Sequence, residues 1–474
     1  MKDNRTSVKR SLLVSAIALT LTAALLIGST FAWFTSTAST GVSKVEAGKL
    51  KVTLLNGDKE LSSTDVLTWQ KAKGQTGTAL WEPGCTYNLE PITIKNTGSL
   101  ALKYKIVITG IKGDADLNKV IDWNVNDTAL DADHSLAVGE SKDLTISGHM
   151  QENADDNYQG KTIDGISITV VATQDTVEYD SNGNQYDKDA EYPISVTTGD
   201  ELQAIVSDAT APVNIVLAND ITTNNFVIPE DKDVTLDLNG RAVTNAESHT
   251  ILNKGHLTLT DSSADKSGQI ISCKADTAAL RNGDNAVCVV ESGTISRDGA
   301  NGNTWHTVEN FGTMTFNGGK VIADDGKSFA IVNGWNYIDP GEQKATMTIN
   351  NIEMKAGPNG FKNCAGGTLT MNDGTLHCTG YWGLSNDSTG VATINGGKII
   401  SDKYIAISDG GAKMEINGGT FTGPQGSLYV QDYAQDTVVK GGSYQNETVE
   451  FMQSCCPKGY TAKPEGGMVV VSKD

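Results

Sequence analysis

The chain has 474 residues, of which 50 are glycine and only 6% are aromatic, a composition that suits a repetitive β protein with many turns. Its formal net charge of −20 argues against nucleic-acid binding, because no basic stripe is present to neutralise phosphates. The seven cysteines fit no metal-ligand spacing, and no Cys-x-x-Cys pair occurs. The length leaves room for two or three domains with a sizeable core.

The first 33 residues have the composition of a signal peptide. Several lysines and arginines lie within the first ten positions, an apolar run covers residues 11–28, and small residues follow it. We expect cleavage in the region of Ala32, Trp33 and Phe34, and export of the chain. If the run is not cleaved, it is nearly long enough to anchor the chain in a membrane.

Residues 34–177 carry short alternating β segments separated by Gly, Asn and Asp, a pattern typical of an antiparallel β-sandwich. The segments lie at 49–55, 89–95, 104–108, 141–146 and 166–172. Trp69, Trp81 and Trp123 are interpreted as core or rim aromatics of this domain rather than as ligand platforms.

Four stretches of this region resemble the TasA/camelysin family: residues 28–35 at the signal junction, residues 81–84, residues 94–103 and residues 166–174. The resemblance implies a jelly-roll-like domain of a Gram-positive bacterium, processing by a SipW-type signal peptidase, and assembly into extracellular matrix fibres. It also implies that residues 34–47, once freed by cleavage, are donated as a strand to the next subunit. The alternatives are that they pair within their own domain or stay disordered.

Some camelysin relatives have been described as metallopeptidases, which raises the question of a zinc site. Zinc would need two histidines one helical turn apart and a nearby glutamate. The domain has only His134 and His149, and neither lies in such a motif. We therefore predict no metallopeptidase activity.

Residues 178–193 form a polar linker. Side-chain oxygens at Asp180, Asn182, Asn184 and Glu191 are spaced like the first, third, fifth and twelfth positions of a calcium loop. The sixth position lacks the glycine of such loops, and no helices flank the segment. Calcium is a candidate here, and no other cofactor is expected.

Residues 194–454 repeat the phrase apolar–x–apolar–Asn–Gly–Gly–x–apolar. The clearest copies lie at 314–321, 369–376, 392–399 and 414–421. The glycine recurs from Gly240 to Gly442 at intervals of about 22 to 33 residues, and apolar residues alternate within each copy. A period of this length with strand-type alternation predicts a solenoid, which resembles the pectate-lyase-like right-handed parallel β-helix.

A second set of polar residues ends an apolar run in each repeat. These side chains are predicted to form a ladder that hydrogen-bonds from coil to coil. The members of the predicted ladder are Asn253, Asn282, Asn310, Asn333, Asn363, Asn386, Asp409 and Asp432.

One helix, at residues 198–209, is predicted ahead of the first coils. Thr198 and Glu201 form a capping box at its start, and one apolar stripe follows. Because an exposed coil edge would pair with other chains, we expect this helix to cover the N-terminal end. Residues 455–474 leave the repeat and are expected to cap the other end with a closing strand.

Aromatic residues supply the candidate binding face. The members of this face fall in turns or loops of the predicted coils: Trp335, Tyr337, Tyr381, Trp382 and Tyr404. Aromatic rings stack on sugars and anchor protein partners. The alternative is that they only stack between neighbouring coils.

An enzyme is the main rival hypothesis, because many pectate-lyase-like β-helices cleave acidic polysaccharides. Such enzymes need converging carboxylates, or a basic residue beside bound calcium. The acidic pair in a plausible position is Asp324 with Asp325, and no lysine or arginine forms a coherent constellation beside it. No catalytic residue is assigned.

The sequence thus predicts an all-β chain, with a jelly-roll-like β-sandwich followed by a right-handed parallel β-helix and its N-terminal capping helix. The predicted function is that of a secreted, non-enzymatic surface or biofilm-matrix protein of a Gram-positive bacterium. Its expected partners are copies of itself, other matrix proteins, and glycans or a host surface. The alternative function is an extracellular polysaccharide lyase or hydrolase acting on acidic glycans.

Overall fold

The computed structural model describes residues 50–474 except 62–64, 66, 72, 75, 77–78, 110–111, 127, 131, 165, 176–182, 184–191, 246, 299–304, 324–327 and 336–340. As the sequence predicts, the chain is almost entirely β, with an antiparallel β-sandwich followed by a right-handed parallel β-helix. The signal segment, residues 34–47 and the candidate calcium ligands lie outside the described residues.

The sandwich contains antiparallel sheets packed around one larger and one smaller hydrophobic cluster. One four-stranded sheet has the order Ser141–Leu144, Ile92–Asn96, Val52–Asn56, Lys59–Glu60, and the other has the order Thr86–Asn88, Ile146–Met150, Ile121–Val125, Thr128–Ala129. A three-stranded sheet contains Ser167–Gln174, Leu102–Thr109 and His134–Leu136, and Lys112–Gly113 pairs with Ile163–Asp164. Short 3-10 helices lie at Ala115–Val120 and Asp156–Tyr158.

Alternation along the strands builds the core of the sandwich. Ile92 and Ile94 point inward from one strand and Tyr104 from another, and all three are buried. The ring of Trp69 lies 5.1 Å from that of Trp81 and 5.8 Å from that of Trp123. These tryptophans therefore pack against one another.

About ten turns of the β-helix follow, and each turn contributes one strand to each of three parallel sheets, named here sheet 1, sheet 2 and sheet 3. Sheet 1 contains Ile194–Val196, Val213–Leu217, Asp233–Asp237, His256–Thr260, Val287–Val290, Thr313–Phe316, Ala345–Ile349, Gly367–Met371, Val391–Ile394, Lys413–Ile416 and Thr437–Val439. Sheet 2 contains Ile221–Thr223, Ala242–Asn245, Gln269–Ser272, Thr294–Arg297, Lys320–Ala323, Glu353–Ala356, Thr375–Cys378, Lys398–Ser401, Thr420–Thr422 and Gly442–Tyr444. Sheet 3 contains Val227–Ile228, Ile251–Asn253, Leu280–Asn282, Val308–Asn310, Phe329–Asn333, Asn359–Asn363, Leu384–Asp387, Ile407–Gly410 and Leu428–Val430.

The repeated glycine phrase maps onto the corner between sheets 1 and 2. Met314 and Phe316 point into the core from sheet 1, Val321 points in from sheet 2, and all three are fully buried. Gly319 between them has a φ of +86°, a conformation that lets the chain turn from one sheet to the next. The repeat register read from the sequence is confirmed for these strands.

Helix α1, Gly199–Asp208, lies at the N-terminal end of the solenoid. The hydroxyl of Thr198 accepts a hydrogen bond from the Glu201 N–H at 3.2 Å, as the predicted capping box requires. The Glu201 carboxylate reaches back to the N–H of Thr197 at 2.8 Å, one residue earlier than in a standard box. Leu202 on the apolar stripe is fully buried in the solenoid core, so the helix covers this end.

The C-terminal end is closed by helix α2, Val449–Ser454, and by an antiparallel hairpin of Tyr460–Glu465 with Met468–Lys473. The last strand pairs antiparallel with Gly442–Tyr444, which confirms the predicted closing strand. The cap begins with α2 and therefore starts before residue 455. Lysine, proline and glutamate on the outermost strand discourage pairing with another chain.

At the C-terminal end of sheet 3, the Glu447 carboxylate accepts hydrogen bonds that a further strand would otherwise accept. Glu447 accepts hydrogen bonds from the N–H groups of Ser427 and Leu428 at 2.6 and 2.9 Å. Burial raises the pKa of Glu447, and these two hydrogen bonds oppose that rise. The two N–H groups are thus satisfied within the chain rather than by a neighbour.

A row of buried side chains, the inner ladder, runs through the corner between sheets 3 and 1; it consists of amides and ends on one carboxylate. Its members are Asn253, Asn282, Asn310, Asn333, Asn363, Asn386 and Asp409. Each Nδ2 donates to the side-chain oxygen on the next coil toward the C-terminus, at 2.7 to 2.9 Å. Because a carboxylate only accepts, Asp409 fixes the direction of every amide before it.

Asp432, predicted as the last member, does not belong to the inner ladder. The strand register pairs Asp409 with Val430, and Asp432 lies exposed in the following turn. Val430 occupies the ladder position on the last strand of sheet 3. A polar side chain there would have no ladder residue on a following coil to bond. The second oxygen of Asp409 instead accepts from the Thr437 hydroxyl at 2.6 Å.

A second row of amides, the outer ladder, lies at the corner between sheets 1 and 2 and was not predicted; four of its five members are exposed and Asn317 is half-buried. Its members are Asn317, Asn350, Asn372, Asn395 and Asn417. Each Nδ2 donates toward the N-terminus, opposite to the inner ladder, at 2.8 to 2.9 Å. Asn317 donates to the Glu291 carboxylate at 2.8 Å, so this ladder also ends on a carboxylate.

Gly397→Val should lower the free energy of unfolding by on the order of 1–3 kcal/mol. Gly397 has a φ of +85°, and a Cβ there would lie 2.6 Å from Met371 Cε and 2.7 Å from the Gly374 oxygen. Gly459→Val is the matched control, because Gly459 has a φ of +87° but nothing within 4 Å. Urea unfolding measures both variants, and equal losses would contradict close packing at the glycine corner.

Asp409→Asn and Asn363→Asp test the direction of the inner ladder. Asp409→Asn keeps an accepting oxygen at the end of the ladder, so we expect a loss within about 1 kcal/mol. Asn363→Asp turns a buried donor into a carboxylate facing Asn386 Oδ1 and the Val391 oxygen, and we expect a loss of about 3 kcal/mol or more. Chemical denaturation at neutral pH measures both. Small and equal losses would be incompatible with the proposed direction.

Candidate functional site

The outer face of sheet 3 carries a central row of side chains, one from each coil. In the order set by the strand register, the row is Leu252, Arg281, Glu309, Val332, Lys362, Ser385, Ser408 and Tyr429. Outward positions on a solenoid are usually solvated, yet Glu309 is only 3% exposed and Lys362 only 6%. Buried charges at outward positions mark this face as unusual.

Each of these buried charges has an oppositely charged partner. Arg281 Nη1 lies 3.1 Å from Glu309 Oε2, and Lys362 Nζ lies 3.2 Å from Asp387 Oδ2. Burial raises the pKa of the Glu309 carboxyl, and the Arg281 guanidinium opposes that rise. The two ion pairs together add no net charge to the face.

Aromatic rings line the edge at which the chain enters sheet 3 from sheet 2. The His306 ring lies 5.4 Å from that of Trp305 and 6.1 Å from that of Phe329. The Phe329 ring in turn lies 5.3 Å from Lys362 Nζ, a cation–π contact. This edge therefore joins the aromatic rings to the central charged row.

Phe311 and Trp335 line the opposite edge of sheet 3. Their ring centroids are 5.3 Å apart, and the Arg281 guanidinium lies 4.8 Å from the Phe311 ring. Trp335 forms an isolated bridge with Ala365 and is 8% exposed. Only a small part of the Trp335 ring therefore reaches solvent.

A cluster of three rings, named here the aromatic platform, lies farther along the first edge. The centroids of Tyr381, Trp382 and Tyr404 are 5.8 to 6.1 Å apart, and the tyrosine rings meet edge to face. Tyr381 is 55% exposed. The indole N–H of Trp382 is buried and has no hydrogen-bond partner among the described residues.

The structure divides the predicted binding face into two places. Tyr381, Trp382 and Tyr404 lie together, whereas Trp335 lies at the opposite edge of sheet 3, after its strand rather than before it. Tyr337 lies outside the described residues, as do Asp324 and Asp325. The sequence placed these rings together in turns or loops of the coils and did not distinguish the two edges of sheet 3.

The charged row and two further rings, Phe311 and Phe329, were not predicted as parts of the site. The inner ladder offers the signal that would have found the row. Because strand side chains alternate, the residue before each inward ladder asparagine must point outward. Arg281, Glu309 and Lys362 all occupy that position.

Among the residues that the structure describes, the outward Phe, Trp and Tyr rings of the solenoid lie on one side. In the described parallel strands of sheets 1 and 2, the aromatic residues are Phe316, Phe421 and Tyr444, which point inward and are fully buried. The outward rings lie on sheet 3 or at its edges: Trp305, Phe311, Phe329, Trp335, Tyr381, Trp382, Tyr404, Tyr429 and Tyr433. This uneven distribution selects sheet 3 as the candidate site.

A groove of about 580 Å³ lies elsewhere, over Gly293, Gly319 and Gly374 at the corner between sheets 1 and 2. Three lysines and two carboxylates line it, and none of its lining residues is aromatic. Its floor is backbone, because glycine at these positions carries no side chain. The groove therefore lacks the stacking surfaces that sheet 3 provides.

Metal and thiol chemistry receive no support from the described part of the chain. It holds no group of three or more His, Cys, Asp or Glu side chains placed to bind a metal ion. His134 and His149 lie on different strands, and none of the seven cysteines, all of which the structure describes, is in a disulfide. No helix in the described ranges has the length and apolar character needed to span a bilayer.

The chain matches no protein-family model, no curated protein and no solved structure. Parallel β-helices occur in both enzymes and non-enzymes. Function is therefore argued from the geometry of sheet 3 itself.

His306 should make the stability of the chain depend on pH. Burial, with the charges of Arg297 and Lys362, lowers the pKa of His306 to about 4, whereas an unfolded histidine titrates near ~6.5. The unfolded chain takes up this proton first, so stability falls as the pH drops from about 6.5 to 4, by up to about 3 kcal/mol for this residue. His306→Gln, which keeps a partner for the Ser328 hydroxyl, should reduce that slope.

The measurement is urea unfolding at a series of pH values between neutral and about 4. His256→Gln is the control, because His256 is exposed on sheet 1. Identical slopes for His306→Gln and the unmodified chain would show that His306 is not held neutral in the folded state.

Proposed function

We propose that the chain is an exported, non-catalytic β-helical rod that binds glycans on the outer face of sheet 3. The observation that carries the proposal is that the described outward Phe, Trp and Tyr rings of the solenoid lie on this face or at its edges, around two buried charges that each have a paired partner. Sugars present apolar C–H faces that stack on aromatic rings, while fixed polar groups orient their hydroxyls. Sheets 1 and 2 offer no comparable combination in their described strands.

The aromatic platform is the proposed main contact. Tyr381 presents the most exposed ring of the three, and Trp382 and Tyr404 hold it from two sides. The unsatisfied indole N–H of Trp382 supports this assignment, because buried donors without partners are rare in folded proteins and call for a functional explanation. Rings fixed by their neighbours lose little rotamer freedom when a ligand binds.

The charge pattern of the face favours neutral glycans over acidic ones. The Arg281–Glu309 and Lys362–Asp387 pairs cancel in charge, so the row offers hydrogen-bonding groups without a strong local field. The chain as a whole carries a net charge of −20, which repels polyanions at low salt. A neutral glycan, rich in hydroxyl groups and without carboxylates or sulfates, suits this environment best.

Binding is better supported than glycan cleavage. Glu309 and Asp387 lie on sheet 3 strands that are three register steps apart, about 14 Å at ~4.8 Å per step. Paired carboxylates that hydrolyse glycosides lie within roughly 5 to 9.5 Å of each other. Each carboxylate is also engaged by a cation, so neither is poised as a free base.

The setting of the proposal comes from the N-terminal sequence. The signal-like segment and the resemblance to the TasA/camelysin family favour display of the rod on the surface or in the matrix of a Gram-positive bacterium. In that setting the sandwich would join copies of the chain or other matrix proteins, and the rod would hold glycans or a host surface.

The double variant Tyr381→Ala with Tyr404→Ala should lose binding on a glycan array that carries neutral and acidic oligosaccharides. Stacking contacts of this kind are worth about 1–2 kcal/mol each, so we expect affinity to fall by about tenfold or more. The melting temperature should change little, because Tyr381 is mostly exposed.

Tyr460→Ala is the matched control, because Tyr460 belongs to the C-terminal hairpin and not to sheet 3. It should bind as the unmodified chain does. Absence of glycan binding by the unmodified chain would overturn the proposal. Release of unsaturated or reducing ends from acidic polysaccharides would replace it with the lyase or hydrolase hypothesis.

A further inference from the structure

The same dipeptide, Asn–Gly, occurs in both ladders but in two different environments. In the inner ladder Asn282 and Asn333 are followed by glycine, and in the outer ladder Asn317, Asn395 and Asn417 are. The local sequence is therefore held constant while burial and hydrogen bonding differ. This contrast bears on a reaction to which Asn–Gly is especially prone.

The reaction is deamidation. The backbone nitrogen of the glycine attacks the asparagine Cγ, an N–Cγ bond forms, and the side-chain nitrogen leaves as ammonia. Water then opens the resulting succinimide at either carbonyl and yields aspartate or isoaspartate. Glycine permits the attack because it carries no side chain to obstruct the ring closure and its backbone is permissive.

The inner ladder blocks each step of this reaction. Asn282 and Asn333 are fully buried, so water has no access to the succinimide. The attacking nitrogens are also engaged in hydrogen bonds. The N–H of Gly283 donates to the backbone oxygen of Asn253 at 2.8 Å, and that of Gly334 donates to the backbone oxygen of Asn310 at 2.9 Å. Both N–H groups are therefore hydrogen-bonded to the preceding coil.

The outer ladder leaves the reaction open at two of its three Asn–Gly steps, since at Asn317 the Gly318 N–H donates to the Val290 backbone oxygen at 3.3 Å. Asn395 and Asn417 are exposed, and the N–H groups of Gly396 and Gly418 donate no hydrogen bond within the described part of the chain. Asn417 Nδ2 donates to Asn395 Oδ1 at 2.9 Å. A donor on that oxygen stabilises the negative charge that develops there during attack on Cγ.

We propose that Asn395 and Asn417 are sites of spontaneous deamidation, so that the outer ladder loses amide groups with time while the inner ladder keeps them. A carboxylate at position 395 has no hydrogen to donate to Asn372 Oδ1, which now accepts from Asn395 at 2.8 Å. The outer ladder is broken at that step. The isoaspartate product also lengthens the backbone at the corner between sheets 1 and 2.

The test is incubation of the purified full chain at mildly alkaline pH, followed by peptide mapping for aspartate and isoaspartate. In the folded chain Asn395 and Asn417 should convert at least about tenfold faster than Asn282 and Asn333, a difference of about 1.4 kcal/mol in barrier. In urea all four should convert at similar rates, which shows that the fold and not the dipeptide sets the difference. Equal rates in the folded chain, or intact Asn395 and Asn417 while the urea sample converts, would overturn the proposal.

Discussion

A buried carboxamide must satisfy two N–H donors and one carbonyl oxygen, and this requirement governs the solenoid. In the inner ladder each amide bonds the next ladder residue and a backbone oxygen of the sheet 1 strand that follows that residue, as Asn333 does with Asn363 and Thr368. These bonds form only when successive coils are in register, because a slip by one residue would turn every ladder side chain toward solvent. The ladder thus fixes the register of the coils. It ends at Asp409, because a carboxylate accepts the hydrogen bond from Asn386 but has no hydrogen to donate to a following coil.

The candidate site depends directly on that register. The outward row of sheet 3 comes one residue before the ladder, so fixing the amides also places Arg281 beside Glu309. The same spacing sets the two ring-bearing edges on either side of the row. A rod held in this way presents its binding groups already ordered, which reduces the entropy lost when a ligand binds. Insertions between strands change the corners without changing the row.

The sequence predicted the repeat, the capping helix, the closing strand and most of the inner ladder, because each follows from a local pattern with a fixed period. It failed at Asp432, where a polar residue has the right composition but no following coil to bond. It also missed the outer ladder and the charged row. Four asparagines of the outer ladder belong to the repeated phrase itself, but their hydrogen bonds, like the pairing of Arg281 with Glu309, are seen only when strands about 22 to 33 residues apart are laid side by side.

The division of the aromatic residues between two edges could not be predicted for a similar reason. Trp335 and Trp382 both lie close to sheet 3 in sequence, but one follows its strand and the other precedes it. Burial separates them further, since Trp335 packs against Phe311 while the platform around Tyr381 remains open. The sequence therefore placed these rings in turns or loops of the coils, and the structure shows which edge of sheet 3 Trp335 and Trp382 occupy.

The central claim is that glycans bind to the outer face of sheet 3. Hydrogen–deuterium exchange of the full chain, with and without a bound neutral oligosaccharide, tests it most directly. The account predicts added protection in the sheet 3 strands and in the turns that carry Tyr381 and Tyr404. Protection confined to sheet 1, to the groove over Gly319 or to the sandwich would contradict it.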